Sequence, residues 1–130
     1  MAQRTDTAFD LFKRAIGTKI AEVTGLSSDN VFYMRSAAAG YPRISYTYTI
    51  WADGSVQRGT LSCQVVGKAS AGEVDAIAEN LRTELDDFAS CSDALFYWLF
   101  SGRSDPVEDS DKSIHRRLVT FDFKIMGGKT

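Results

Sequence analysis

This 130-residue chain has few histidines and cysteines and only a small excess of negative over positive charge. The single histidine, His115, has no evident partners for a Ser/His/Asp or Cys/His arrangement, and one histidine with two scattered cysteines falls short of the three or four ligands of a metal site. The net charge of −2 lacks the basic footprint that binding to nucleic-acid phosphates usually needs. We therefore expect neither enzymatic activity nor a cofactor nor specific binding of nucleic acid.

Long hydrophobic runs are missing as well. The longest, from Ala94 to Phe100, is far shorter than the roughly 20 residues of a membrane-spanning helix. The first residues lack the basic-then-apolar layout of a secretory signal. Cys63 falls on the apolar face of a predicted strand, so a reduced core thiol is favoured over the alternative of a disulfide with Cys91. We expect a single globular domain over residues 1–130, made in the cytoplasm.

The centre of the chain carries the clearest pattern of secondary structure. Apolar and polar residues alternate from Ile44 to Ile50, which predicts a half-buried strand. Ala52 to Ser55, with its Asp-Gly pair, predicts a turn, and alternation resumes from Thr60 to Val65. The period then becomes helical, and Ser70 and Glu73 have the spacing of a capping box. The apolar stripe of this predicted helix comprises Val74, Ile77, Ala78, Leu81, Leu85 and Phe88.

Three further elements flank this centre. Residues Thr7 to Val23 show apolar side chains at steps of three and four, which predicts a first helix that stops at Gly25. Gly17 inside that helix indicates a kink or close packing. Val31 to Arg35 is predicted as a short strand and Ile114 to Met126 as the last strand, followed by a frayed tail over residues 127–130. The resulting fold class is α+β, with a mainly antiparallel sheet of four to five strands and two helices packed on one face.

The apolar run after the second helix fits a strand buried on both faces, although a two-turn helix remains an alternative. As a strand it presents Phe96, Trp98 and Phe100 on one side of the sheet. Two helices cannot cover both faces of such a sheet, so these three aromatic residues are predicted to form a subunit interface.

The segment from Arg103 to Ser113 is predicted to be an acidic loop. It contains a proline and lacks the glycine and the twelfth-position glutamate of a calcium-binding loop. It is either a solvated connection or a surface that docks to a basic partner. The candidate docking residues are its four acids, Asp105, Glu108, Asp109 and Asp111.

The order and spacing of these elements resemble the tail-terminator, or tail-completion, proteins of long-tailed bacteriophages. The resemblance covers the helix through Val23, the Tyr41-Pro42-Arg43-Ile44 entry into a strand, the strand over Val56–Val66, the helix over Glu73–Phe88 and the late strand over Arg117–Ile125. The aromatic run at residues 94–100 and the acidic segment after it depart from the family pattern.

The resemblance implies a structural virion protein located in the tail or neck. It implies a ring, commonly a hexamer, that caps the tail tube, contacts the tail tube protein and the head-tail connector protein, and lets DNA pass without specific binding. Two alternatives are a head-closure or neck connector of the same virion and a small-ligand-binding or enzymatic α+β domain.

Overall fold

The computed structural model describes residues 8–27, 30–34, 40–52, 57–68, 70–92, 95–108 and 111–127. These ranges contain two helices, each followed by three strands. In chain order they are α1 (Ala8–Thr24), β1 (Val31–Tyr33), β2 (Arg43–Ala52), β3 (Gln57–Gly67), α2 (Ala71–Leu85), β4 (Phe88–Ser92), β5 (Leu95–Val107) and β6 (His115–Gly127).

The sheet has the strand order β1-β2-β3-β6-β5-β4. Every neighbouring pair is antiparallel except β1 and β2, which run parallel. The α+β class is confirmed, whereas the predicted four to five strands are too few. The additional strand is β4, a short edge strand that pairs with β5.

Both helices pack on the same face of this sheet, which we call the inner face. The α1 side chains Phe12, Ile16 and Ile20 and the α2 side chains Leu81 and Leu85 are fully buried. They join one core with the inward-facing residues of the central strands. The opposite, outer face carries no helix within the part of the chain that the structure describes.

Gly17 lets α1 approach the sheet closely. A Cβ atom at Gly17 would collide with the hydroxyl of Tyr46 on β2. That hydroxyl donates a hydrogen bond to the carbonyl oxygen of Lys13, 3.0 Å away. Burial raises the pKa of Tyr46, so the hydroxyl keeps the proton that it donates. Of the two predicted roles for Gly17, close packing is therefore the one observed.

Local signals set the helix ends. At the end of α1, Gly25 adopts φ +77° and its N–H donates to Ala21, which confirms the predicted stop. Ser70 caps α2 by accepting a hydrogen bond from the Glu73 N–H at 3.1 Å.

The predicted extension of the second helix to Phe88 is wrong. The helix ends at Leu85, and Asp87 at φ 61° reverses the chain. Phe88 instead starts β4, where it pairs with Leu99. Phe88 has the sequence spacing of the helical stripe although it lies on a strand. Its ring still faces the core, with its centroid 5.9 Å from that of Tyr97.

The strand interpretation of residues 95–100 is confirmed, but the predicted acidic loop is too long. β5 continues through Arg103 to Val107, pairing with β6 beyond a bulge between Phe100 and Arg103. β4 pairs only with Leu95–Leu99, so this second half of β5 lies at the sheet edge, where Pro106 is tolerated.

Several predictions fall on positions outside the described residues. These are the Thr7 cap, the Asp53-Gly54 turn, Ala94, Asp109 and residues 128–130 of the tail. Within the described ranges, neither helix has the length and apolar character needed to cross a membrane.

Candidate subunit interface

Alternation along β5 sends its large side chains to opposite faces of the sheet. Leu95, Tyr97 and Leu99 lie on the inner face with 6%, 3% and 0% of their surface exposed. Phe96, Trp98 and Phe100 lie on the outer face, and each is only half-buried. The predicted division of this run into a core set and a surface set is therefore observed.

The outer aromatic side chains of β5 are held in place by neighbours. The Trp98 and Phe100 rings lie 4.4 Å apart between centroids with an interplanar angle of 31°. Trp98 Nε1 donates a hydrogen bond to Asp87 Oδ1 at 2.8 Å. Lys124 Nζ lies 5.6 Å from the Trp98 ring centroid and 6.0 Å from that of Phe100, within cation–π range. Fixed aromatic side chains lose little conformational entropy when a partner binds.

Strand register extends this apolar surface sideways. Phe96 pairs with Met126 on β6 and with Cys91 on β4, and both residues are exposed. Met126 has 41% of its surface exposed. We call the group Phe96, Trp98, Phe100, Met126 and Lys124 the aromatic patch.

A shallow depression of about 340 Å³ borders the aromatic patch on the β3 side. Arg58, Gly59 and Asp122 are among the residues that line it. A Cβ atom at Gly59 would fall on the carbonyl oxygen of Thr49 and within 2.5 Å of Phe123 Cζ, so the position requires glycine.

Beyond the aromatic patch, the outer face carries both apolar and polar side chains, and some of the polar ones bond across strands. Arg116 Nη1 donates to Gln64 Oε1 at 3.0 Å, and Arg103 Nη2 donates to Thr120 Oγ1 at 3.3 Å. These contacts keep the side chains of β3, β5 and β6 ordered on a surface that no helix of the described chain covers.

The acids predicted to dock a partner are divided between two elements. Asp105 is exposed on β5, paired with Leu118, while Glu108 is exposed just after the strand. Asp111 accepts hydrogen bonds from the N–H and the hydroxyl of Ser113 at 2.9 and 2.7 Å. Asp111 therefore shapes the turn into β6, and Asp109 lies outside the described residues.

The residues that could support catalysis are not brought together. Cys63 is fully buried on β3, and burial raises the pKa of its thiol to about 12. It pairs with Val119, four residues along β6 from His115. Cys91 lies on the edge strand β4. Among the described residues, no group of three or more His, Cys, Asp or Glu side chains is placed to hold a metal ion.

Sequence reasoning identified the three aromatic residues but not all of their neighbours. The period-two pattern of β6 already places Lys124 and Met126 opposite Phe123 and Ile125, so both could have been assigned to this face. The contact with Asp87 had no signal, because it depends on the turn that ends α2.

Comparisons with known proteins give the fold. No family model and no curated protein matches this chain. One solved chain that carries no descriptive name matches at a TM-score of 0.70 with 12% identity, over 94% of this chain and 98% of its own. A second, from the virion of a native gene transfer agent particle, matches at a TM-score of 0.55 with 15% identity, over 83% of this chain and 84% of its own. At such identities the similarity establishes a shared fold.

Proposed function

We propose that this chain is a structural component of a phage-like virion, a tail terminator that assembles into a ring, commonly a hexamer. The ring caps the tail tube and joins it to the head. Its partners are further copies of itself, the tail tube protein and the head-tail connector protein. The proposal draws on the sequence resemblance to tail terminators and on the fold shared with a chain of a gene transfer agent virion.

The observation that carries this proposal is the aromatic patch. Three large aromatic side chains and an exposed methionine sit together on a sheet face that no described element covers. Clusters of this kind mark protein interfaces, in which aromatic and Met residues are enriched. A subunit of a ring presents such a surface to its neighbour, whereas monomeric proteins rarely expose one.

Charge is consistent with a channel that DNA traverses. The chain has a net charge of −2 and a sequence pI near 5.3. A ring of mildly acidic subunits repels the phosphate backbone weakly, and DNA passes without being held. A connector in the neck of the same virion would have the same property, so this feature does not separate the two structural roles.

The acidic residues near the end of β5 are proposed to dock a basic surface on the tail tube or the connector. Both Glu108 and Asp105 are exposed, Asp105 on the outer face and Glu108 beside the first turn of α2. The double variant Glu108→Gln with Asp109→Asn removes two negative charges and tests this role. It leaves Asp111 unchanged, because that side chain stabilises the turn into β6. Rings that form but fail to join tubes or heads support docking, whereas normal joining refutes it.

Mass measurement of the wild-type protein tests the ring directly. The 14.3 kDa chain should sediment as a multiple of that mass, and negative-stain images should show closed rings. Added to purified tail tubes, those rings should bind one tube end and stop further growth. A protein that stays monomeric at high micromolar concentration and leaves tube growth unchanged would contradict the proposal.

A further inference from the structure

The outer face of the sheet and the exposed side of α2 carry opposite charge. On the outer face, five cationic side chains stand against three carboxylates, those of Asp87, Asp105 and Asp122. On α2, four carboxylates stand against one arginine, Arg82. The cations are Arg43, Arg58, Arg103, Arg116 and Lys124, and the α2 acids are Glu73, Asp75, Glu79 and Glu84.

The acids of α2 point toward solvent even where they have partners in the same chain. The side chain of Asp75 keeps 59% of its surface exposed beside Arg117, and Glu79 keeps 60% exposed beside Arg82. Glu84 is exposed one residue before the buried Leu85. These side chains are available to a second protein without unfolding any part of the first.

These two surfaces lie on opposite sides of the molecule. Val74, Ala78, Leu81 and Leu85 bury one side of α2 against the inner face, so the acidic side points away from the sheet. A symmetric contact of two outer faces would place cations against cations. A contact between the outer face of one copy and α2 of the next places cations against carboxylates, which is favourable and fixes orientation.

We infer that a second copy of this chain docks the acidic side of its α2 onto the outer sheet face, over the aromatic patch. The contact is head-to-tail, because each copy uses two different surfaces. Such a contact leaves one free surface of each kind at the ends of a growing chain of subunits, and it forms a closed ring when the rotation between neighbouring copies closes the circle. The inference rests on the proposed ring and assigns the surfaces that build it.

The aromatic patch and the charges have separate parts in this contact. The rings of Trp98 and Phe100 supply apolar area at its centre, as interface anchors do. Arg58 and Lys124 beside them meet the α2 carboxylates of the neighbouring copy. Rim charges of this kind act through salt-dependent attraction, so assembly should weaken as sodium chloride rises from about 0.05 to about 0.5 M.

Charge reversal on either surface tests the assignment. The first variant, Ala76→Lys with Glu84→Lys, changes the helix and removes none of its observed ion pairs. The second, Arg58→Glu with Lys124→Glu, changes the sheet. Each should raise the concentration needed for half-assembly about tenfold or more while far-UV circular dichroism and melting remain those of a folded protein.

Controls and a combined variant distinguish the geometries. Two control variants change the charge at exposed positions outside the proposed contact. They are Thr18→Lys on the solvent side of α1 and Lys112→Glu in the turn before β6, and both should assemble normally. Combining all four changes exchanges the sign of the charge at the substituted positions of both surfaces, so assembly should return to within a few-fold of wild type. A contact of two outer faces would instead leave the helix variant unaffected and make the combined variant assemble no better than the sheet variant alone.

The outcomes separate this inference from the proposed function. A wild-type protein that never assembles overturns both. A wild type that forms rings while the helix variant assembles equally well overturns only the assignment of α2. Rings lost in both double variants and regained in the combined variant establish the head-to-tail contact.

Discussion

Gly17→Ala should destabilise the protein, although helix propensity alone predicts the reverse. Alanine in a helix interior is favoured over glycine by about 0.8–1.0 kcal/mol. Here the new methyl group would collide with the Tyr46 hydroxyl, whose hydrogen bond to Lys13 would have to lengthen or break. Overpacking costs about 1–3 kcal/mol and the hydrogen bond about 1 kcal/mol, so the net loss should be about 1–3 kcal/mol.

The size of this effect can be measured by thermal melting. An unfolding entropy of roughly 2.1 cal/mol/K per residue converts a loss of about 1–3 kcal/mol into a fall in Tm of about 4–11 °C for a chain of this length. The matched control is Gly72→Ala in the first turn of α2, where the nearest atom to the new Cβ would be Ser70 Oγ at 3.9 Å. Its Tm should not fall.

Removing the colliding atom should rescue the substitution. In a Tyr46→Phe background the nearest remaining ring atom lies 3.2 Å from the new Cβ, and Gly17→Ala should then be close to neutral. A double-mutant cycle should give a coupling free energy of about 1–2 kcal/mol. If Gly17→Ala raised Tm in the wild-type background, close packing of α1 on β2 at this point would be wrong.

Three other predictions concern the core, the helix cap and the thiols. Leu85→Ala should lower the free energy of unfolding in urea by about 2–5 kcal/mol, because the side chain is fully buried. Glu84→Ala beside it should lower it little, and equal effects would refute the packing of α2. Ser70→Ala should cost about 0.5–2 kcal/mol by removing the cap of α2, and an unchanged midpoint would contradict that role. At pH 8 Cys91 should react with a thiol reagent in the folded protein and Cys63 only after unfolding, because burial holds the Cys63 pKa near 12; rapid reaction of both thiols would contradict its burial.

Much of the fold could be predicted from local patterns. Alternation gave β2, β3 and β6, and the capping spacing at Ser70 located the start of α2. β4 could not be found this way, because its five residues alternate weakly and Phe88 continues the helical stripe. Its existence depends on pairing with β5, which is a tertiary contact.

The end of β5 shows how edge position overrides composition. An acid and a proline between Arg103 and Val107 are typical of a loop, yet a strand forms there because β6 pairs with it. Among the described residues, no strand pairs with its other edge. An edge strand tolerates both residue types. The three aromatic residues of the patch could be predicted because they alternate along one strand, β5. The contact between Trp98 and Asp87 could not, because it depends on the turn that follows α2.

The oligomeric mass of Trp98→Asp tests most directly whether the aromatic patch joins subunits. The side chain is half-buried on the outer face and lies outside the core, so the variant should still fold, with a Tm lowered by the lost contacts to Asp87 and Phe100. Light scattering across a concentration series should show it monomeric where wild type forms rings. Thr18→Asp on α1 serves as the control and should assemble. A folded Trp98→Asp variant that assembles like wild type would contradict the account.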